Sequence, residues 1–428
     1  LRLIAFAVAT ARGRIEVAQP QAQSIVATPP VVIVGGGMAG SLLALVLGRA
    51  GLRVKLIDLK REPAPAFRNE KLGLDQIERL RRLGVLSCFQ EACWGAAPLD
   101  GDTPPPGKPP LKDSGARYDR WIERIRAAWP AEVDFIEGKV NDVSTSPDVQ
   151  AAVLSTGQRI EGRLLVMATG RGERLRNSLK VSRRVLSERH SICIGFSVAP
   201  PTQGEAPPAG IFAARFGSRH AYVTFFTMLD EIRINMFSYR ELDDPWVAEV
   251  RKAPLESLKQ DFPAAAAALA GLAIMRPPEI RSTDLYAVEG HVQPGVLLLG
   301  DAFHAPCPAS GTGMTRILND VERLADVYLP RWLATPGMDA DKIAAFYKDP
   351  AKLAVDRSSL LASIMGRRSA TDQSFYWRAR CTVGKLRRSI ANAFVETRFR
   401  LNGASGAATA RARAGRGPAP LHGSAADA

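Results

Sequence analysis

Four apolar residues in a row, Val31-Val32-Ile33-Val34, follow Pro29-Pro30 and run directly into glycines. An unbroken apolar run of that length, closed by a turn signal, predicts a strand covered on both faces. Residues 38–50 then predict a helix stopped by Gly51, and Val54-Lys55-Leu56-Ile57-Asp58 a second strand. Strand, helix and strand within 28 residues make a compact βαβ unit, normally a right-handed crossover. Leucine or isoleucine at 74, 77, 80 and 83 predicts a helix over 68–83, and residues 118–128 predict another. Residues 133–143 read as strand and turn, and residues 163–170 as a further buried strand ending in a tight turn.

The pattern changes in the middle of the chain. Residues 191–198 and 210–239 mix apolar and polar positions in short β-prone runs such as Tyr222-Val223-Thr224-Phe225-Phe226. These predict antiparallel strands with one face covered and the other lining a cavity or solvent. Residues 245–272 read as mostly helical. The buried-strand pattern returns at 295–300, followed by a helix over 314–328, so a late segment is expected to complete the first domain. The division predicted is a flexible extension over 1–29, a discontinuous first domain over 31–185 and 280–330, an inserted domain over 186–279, a helical region over 331–402 and a disordered tail over 403–428.

Composition sharpens this in two ways. A hydrophobic content of 46% excludes a wholly disordered chain. The net charge of +14 suggests nucleic acid at first sight, but +10 of it falls in residues 351–428, so the body has no reason to prefer nucleic acid. From 375 to 401, apolar residues at 383, 386, 390 and 394 recur at helical spacing among Lys385, Arg387, Arg388, Arg398 and Arg400. Such a segment is a candidate peripheral contact with an anionic membrane surface, or a helix packed on the body with a solvated basic face. No spanning helix is expected. Cysteines at 88, 93, 193, 307 and 381 form no C-x2-C pair, which argues against a zinc ribbon or disulfide scaffold and points to a reducing, cytoplasmic setting. The five histidines have no metal-ligand spacing, so no metal site is expected. No side-chain catalytic residue can be assigned.

Two glycine-rich loops carry the chemistry. Gly35-Gly36-Gly37-Met38-Ala39-Gly40 is a G-x-G-x-x-G between strand and helix. In such a loop Gly35 permits the turn, Gly37 lets a pyrophosphate approach the backbone, Gly40 allows close helix–strand packing, and the amides around Met38 and Ala39 supply an anion site. Eighteen residues after Gly40, Asp58 ends the second strand, where a carboxylate can accept bonds from ribose hydroxyls. About 260 residues later Val296-Leu297-Leu298-Leu299-Gly300-Asp301-Ala302-Phe303-His304 leads into Pro308-Ala309-Ser310-Gly311-Thr312-Gly313-Met314. Asp301 can bind a second polyol there, and the amides near Gly313 can face an electron-rich ring. Two such loops far apart in sequence favour a long cofactor, FAD rather than NAD.

The fingerprint together with Gly300, Asp301, Ala302, His304, Pro308, Gly311 and Gly313 resembles the FAD-dependent monooxygenases of the para-hydroxybenzoate hydroxylase and ubiquinone hydroxylase superfamily, over roughly residues 31–330. The resemblance implies an α/β fold: a Rossmann-type FAD-binding domain, an inserted antiparallel-sheet substrate domain and a C-terminal helical extension. It implies that Asp58 holds the adenosine ribose, that Gly300 and Asp301 meet the ribityl and pyrophosphate region, and that Gly313, Met314 and Thr315 lie by the pyrimidine edge of the flavin. Arg68 and Arg117 resemble family arginines near the cofactor. The implied activity is insertion of one oxygen atom from O2 into a small aromatic or polyprenyl-like substrate through a flavin hydroperoxide, with NAD(P)H as electron donor. The substrate is expected between the flavin and the sheet of residues 191–239.

The sequence departs from the family pattern in two places. Thr169-Gly170, followed by Arg171, stands where an Asp-Gly pair is usual, and Thr315 where many relatives carry Asn. The first departure leaves open a partner reductase that supplies reduced flavin to a two-component oxidase, reductase or halogenase. No Trp-x-Trp pair supports the halogenase. A nucleic-acid-binding protein driven by the basic tail is the reading from a different class.

Overall fold

A computed structural model describes residues 29–379, apart from 97–100, 102, 204, 205 and 208. The N-terminal extension up to residue 28, the basic segment from 380 onward and the C-terminal tail lie outside the described residues.

Five parallel strands form the central sheet, in the order Val296–Leu298, Leu164–Met167, Val31–Val34, Val54–Asp58 and Val133–Glu137. The apolar runs are buried on both faces because each face has its own cover. Val31, Ile33, Leu56, Val166 and Leu297 pack with the helix Met38–Arg49 and its neighbours. Val32, Val34, Ile57, Met167 and Leu298 instead pack against a three-stranded meander, Val140–Ser144, Gln150–Leu154 and Arg159–Gly162. The sequence pattern does not predict that meander, since its strands are short and half polar. Parallel pairing puts the carboxyl ends of the strands on one edge, which gathers Gly35, Asp58, Ala168 and Gly300 although they are far apart in the chain.

Gly40 sits at the tightest approach in this layer. A Cβ there would lie 2.0 Å from the Gly35 carbonyl oxygen, and one at Gly35, whose φ is +105°, 2.5 Å from the Ala168 carbonyl oxygen. Gly40→Ala must therefore push the helix off the strand. It is expected to lower stability by about 1–3 kcal/mol, the usual cost of overpacking, seen as a lower thermal midpoint; an unchanged midpoint would contradict this packing.

The second sheet is antiparallel, in the order Gly210–Ala213, His220–Thr227, Ile232–Ser238, Ser182–Val198, Ile274–Glu289 and His304–Ala305. One face is apolar, with Ile194, Phe196, Phe225 and Ile234 buried under the helices Pro245–Lys252 and Pro263–Ala268. The other face looks toward the first layer. His304–Ala305 follows directly on the Gly300–Ala302 turn, so the second glycine loop is sewn into this sheet. The helix predicted over 68–83 begins only at Leu74. Asn69–Glu70 instead pair with Ala116–Arg117, and the Gln76 side chain accepts the Gly73 N–H at the helix start, 2.9 Å away. Leu74 is accordingly exposed while Ile77 and Leu80 are buried.

The helix Pro350–Thr371 lies along the second loop through polar contacts. Thr312 Oγ1 is 2.6 Å from Ser359 Oγ, and the Cys307 N–H donates to Ser363 Oγ at 3.1 Å. No helix among the described residues is long and apolar enough to cross a membrane.

Candidate functional site

Between the two layers lies a cavity of about 800 Å³. Residues 67–76 form one side, Cys193, Tyr222, Thr224, Asn235 and Phe237 of the large sheet form another, and Pro308, Gly311 and residues 313–315 close it. Gly311 and Gly313 have open space where a side chain would project, so a flat group can lie against their backbone. Neither the helix starting at Met38 nor the one starting at Gly313 has its first-turn amides bonded by the side chain of its N-cap residue. Both starts thus keep amide donors for an anion or an electron-rich ring.

Of the sequence-predicted residues, the cavity wall contains Arg68, Asp301, Gly313, Met314 and Thr315. Arg68 Nη2 donates to Asp301 Oδ2 at 2.8 Å, and Arg171 Nε approaches the same oxygen at 3.5 Å. Burial disfavours the Asp301 charge, but Arg68 and then Arg171 outweigh it and hold the carboxyl below the usual range. The Thr315 hydroxyl accepts from Gln76 Nε2 at 2.9 Å, which pins it from the neighbouring helix.

The fingerprint lies next to this wall rather than in it. Gly37 is open: a Cβ added there would meet only the Tyr118 hydroxyl within 4 Å. The Met38 N–H donates to that hydroxyl at 3.0 Å, and Tyr118 also lines the cavity, so this tyrosine joins the two regions. Asp58 Oδ2 accepts from Arg126 Nη2 at 2.8 Å, while its other oxygen accepts the Leu59 N–H. Arg126 also donates to the carbonyls of Gly36 and Lys60 at 2.6 and 3.0 Å and clamps the loop from behind. A Cβ at Gly36 would fall 2.5 Å from this guanidinium, so the middle glycine has a steric reason of its own.

Arg117 is not brought to the cavity. Its guanidinium pairs with Asp119 at 2.5 Å, because the strand pairing of Ala116–Arg117 turns it away and presents Tyr118 instead. Sequence reading also misses Glu70, Gln76, Tyr118, Arg126 and Arg171 as site residues. Its place as the first residue of the helix Tyr118–Ala127 is the one signal available for Tyr118; nothing local marks the others, since each acts across a long sequence separation. Among the described residues no group of His, Cys, Asp and Glu could hold a metal ion.

Residues 28–94 match the family model described as a FAD binding domain. The chain is 24% identical over 333 residues to a squalene epoxidase of Aspergillus fumigatus, covering 70% of this chain and 66% of that protein. It is 26% identical over 329 residues to the 3-demethoxyubiquinol 3-hydroxylase of Escherichia coli, covering 69% of this chain and 78% of the relative. It spans about half the length of mouse squalene monooxygenase, with 54% covered. Among solved structures, p-nitrophenol 4-monooxygenase PnpA of Pseudomonas putida superposes with a TM-score of 0.60 at 17% identity, covering 82% of this chain and 92% of that one. The flavin-dependent brominase Bmp2 gives 0.61 at 17% identity, covering 81% and 90%. The α/β architecture with its antiparallel sheet is therefore that of the FAD-dependent monooxygenases and halogenases.

Proposed function

We propose that this chain is a flavin-dependent monooxygenase, binding FAD across its two glycine loops and inserting one oxygen atom from O2 into a small aromatic or polyprenyl-like substrate. The observation that carries this reading is the cavity itself: the Gly313 helix start and Asp301 on one side, an aromatic-lined sheet face on the other. The residues present fit the cofactor. The backbone of Gly35, Gly37, Met38, Ala39 and Gly40 would receive the pyrophosphate, with Tyr118 giving up the Met38 amide, and Asp58 the adenosine ribose. Gly300, Asp301 and Arg68 would hold the ribityl and pyrophosphate region, and the amides of Gly313, Met314 and Thr315 the pyrimidine edge. Tyr118 replaces Arg117 in this assignment.

Bound there, FAD supplies the redox chemistry, taking electrons from NADH or NADPH and activating O2. The chain's own work is to position and shield. Amides at the Gly313 helix start stabilise negative charge on a ring placed over them. Tyr222, Phe226 and Phe237 line the sheet wall and exclude water from it. The Tyr222 hydroxyl donates to the Ala309 carbonyl at 2.8 Å, tying the sheet wall to the loop.

Anaerobic mixing of the yellow protein with NADH and with NADPH, with and without aromatic or polyprenyl test substrates, checks the electron source. Fast bleaching of the flavin band by one nucleotide is expected. Bleaching by neither would overturn that part and support a partner reductase, the two-component alternative that Thr169-Gly170 leaves open. The basic segment 375–401 is the candidate contact with an anionic membrane surface on the cytoplasmic side; Phe375 and Tyr376, at its start, are 85% and 63% exposed.

A further inference from the structure

The turn 334–339 joins the end of the helix Leu329–Leu333 to the start of the helix Ala340–Tyr347, on the far side of the first layer from the cavity's polar loops. Its carbonyls converge on one spot, and the Lys342 ammonium sits there. Lys342 Nζ donates to the carbonyls of Trp332, Thr335, Pro336 and Gly337 at 3.2, 3.3, 3.0 and 2.8 Å. The Thr335 hydroxyl accepts from it at 2.8 Å. All five partners are neutral oxygens. The Asp339 carboxylate is committed elsewhere, capping the helix by accepting the Lys342 backbone N–H at 3.0 Å. A cation in the first turn of a helix opposes that helix's own dipole. The place of Lys342 is therefore set by its neighbour, the carbonyl end of the continuous helical stretch 313–333. Arg163 reaches the same turn from the central sheet, donating to the Trp332 and Gly337 carbonyls at 3.3 and 3.1 Å and also to Thr335.

We propose that the turn 332–337 is a monovalent-cation site, sized for ammonium or potassium, with the Lys342 ammonium as its built-in occupant. The distances decide the ion class. Magnesium needs oxygens at about 2.0–2.1 Å and calcium at about 2.3–2.6 Å, both shorter than those around Lys342. Rings of neutral carbonyls instead suit a singly charged ion, whose hydration shell they replace. Residues 334–336 are exposed, so an ion can enter from solvent once the side chain is shortened. The site steadies more than its own turn. The Gly295 N–H donates to the Met338 carbonyl at 2.7 Å, and Gly295 opens the strand Val296–Leu298 that runs on to Asp301. This inference does not depend on the flavin reading.

The test is thermal unfolding of the full chain, followed by circular dichroism in tetramethylammonium chloride. Ammonium or potassium chloride then replaces that salt at constant ionic strength. Wild type should respond little to the exchange, because its site is filled. Lys342→Ala should unfold about 2–4 °C lower in tetramethylammonium. Helix propensity cannot explain such a fall, since alanine is the better helix former. Ammonium and potassium should recover most of the loss and saturate, as binding to the folded state alone requires. Lys342→Met should also fall but stay low in every salt, because its terminal methyl abuts the seat. If Lys342→Ala is unfolded in tetramethylammonium, ammonium should bring back the folded spectrum. The proposal is overturned by a Lys342→Ala protein as stable as wild type, or one equally unstable in all three salts. A wild type that gains as much from ammonium as Lys342→Ala does would overturn it too.

Discussion

Alanine at position 301 is expected to cost the protein its FAD. Asp301 is the carboxylate on which Arg68 and Arg171 converge, and Tyr286 braces its backbone by donating to the Asp301 carbonyl at 2.6 Å. Its removal takes away a charged acceptor for the cofactor and leaves two guanidiniums facing each other without a counter-ion. Hydrogen bonds to charged groups contribute about 1.5–3 kcal/mol, so affinity should fall roughly 10- to 100-fold. Asp301→Asn, which keeps an acceptor and loses the charge, should fall between. Titration of FAD into the apoprotein, followed by quenching of flavin fluorescence, measures this; unchanged affinity in Asp301→Ala would contradict the assignment. The pH dependence has a definite sign. Because the folded-state carboxyl is held below its ordinary range, its contribution is complete above that range and is lost as pH falls through the depressed value. FAD retention should accordingly survive mild acid.

The second large effect is expected at Lys352. Its ammonium is fully buried, 3.0 Å from both oxygens of Asp320 and 3.2 Å from Asp356, which in turn accepts from Arg316 at 2.7 Å. Arg316 also donates to the His304 carbonyl at 2.7 Å, so the network joins the helix Pro350–Thr371 to the second loop. Lys352→Met leaves the buried Asp320 and the half-buried Asp356 sharing one arginine. Breaking a buried pair from one side costs about 3–5 kcal/mol, because the remaining charge is uncompensated. Removing the partner as well, in Lys352→Met with Asp320→Leu, should recover most of that loss, since burial already pushes the Asp320 carboxyl up. Denaturant unfolding of the two single variants and the double variant checks both statements. A Lys352→Met protein within about 1 kcal/mol of wild type would contradict the network's role.

How much of this is legible in the sequence depends on the range over which each residue acts. Val31–Val34, Gly35–Gly40 and Val54–Asp58 can be read because strand, turn and helix lie within a few tens of residues and their periodicities differ. Asp301 is legible because a second apolar run ends in its own glycine turn. The short strand Asn69–Glu70 is not, since its partner lies at Ala116–Arg117 and the leucine spacing nearby suggests a longer helix. The same pairing decides that Tyr118, not Arg117, meets the fingerprint. Arg126 and Lys352 look like ordinary solvated charges in a sequence; only the fold places Arg126 behind Gly36 and Lys352 between two aspartates. Thr169-Gly170-Arg171 stands out as a departure in the sequence, but the approach of Arg171 to Asp301 becomes visible only once the central sheet has brought their loops together.

The central claim is that the two glycine loops together hold one FAD. The most direct test is the visible absorption spectrum of the purified chain after incubation with FAD and removal of the excess. The account predicts a yellow protein with an oxidised-flavin band and one FAD per chain, and loss of that band in Asp301→Ala. A folded wild-type protein that stays colourless would contradict it.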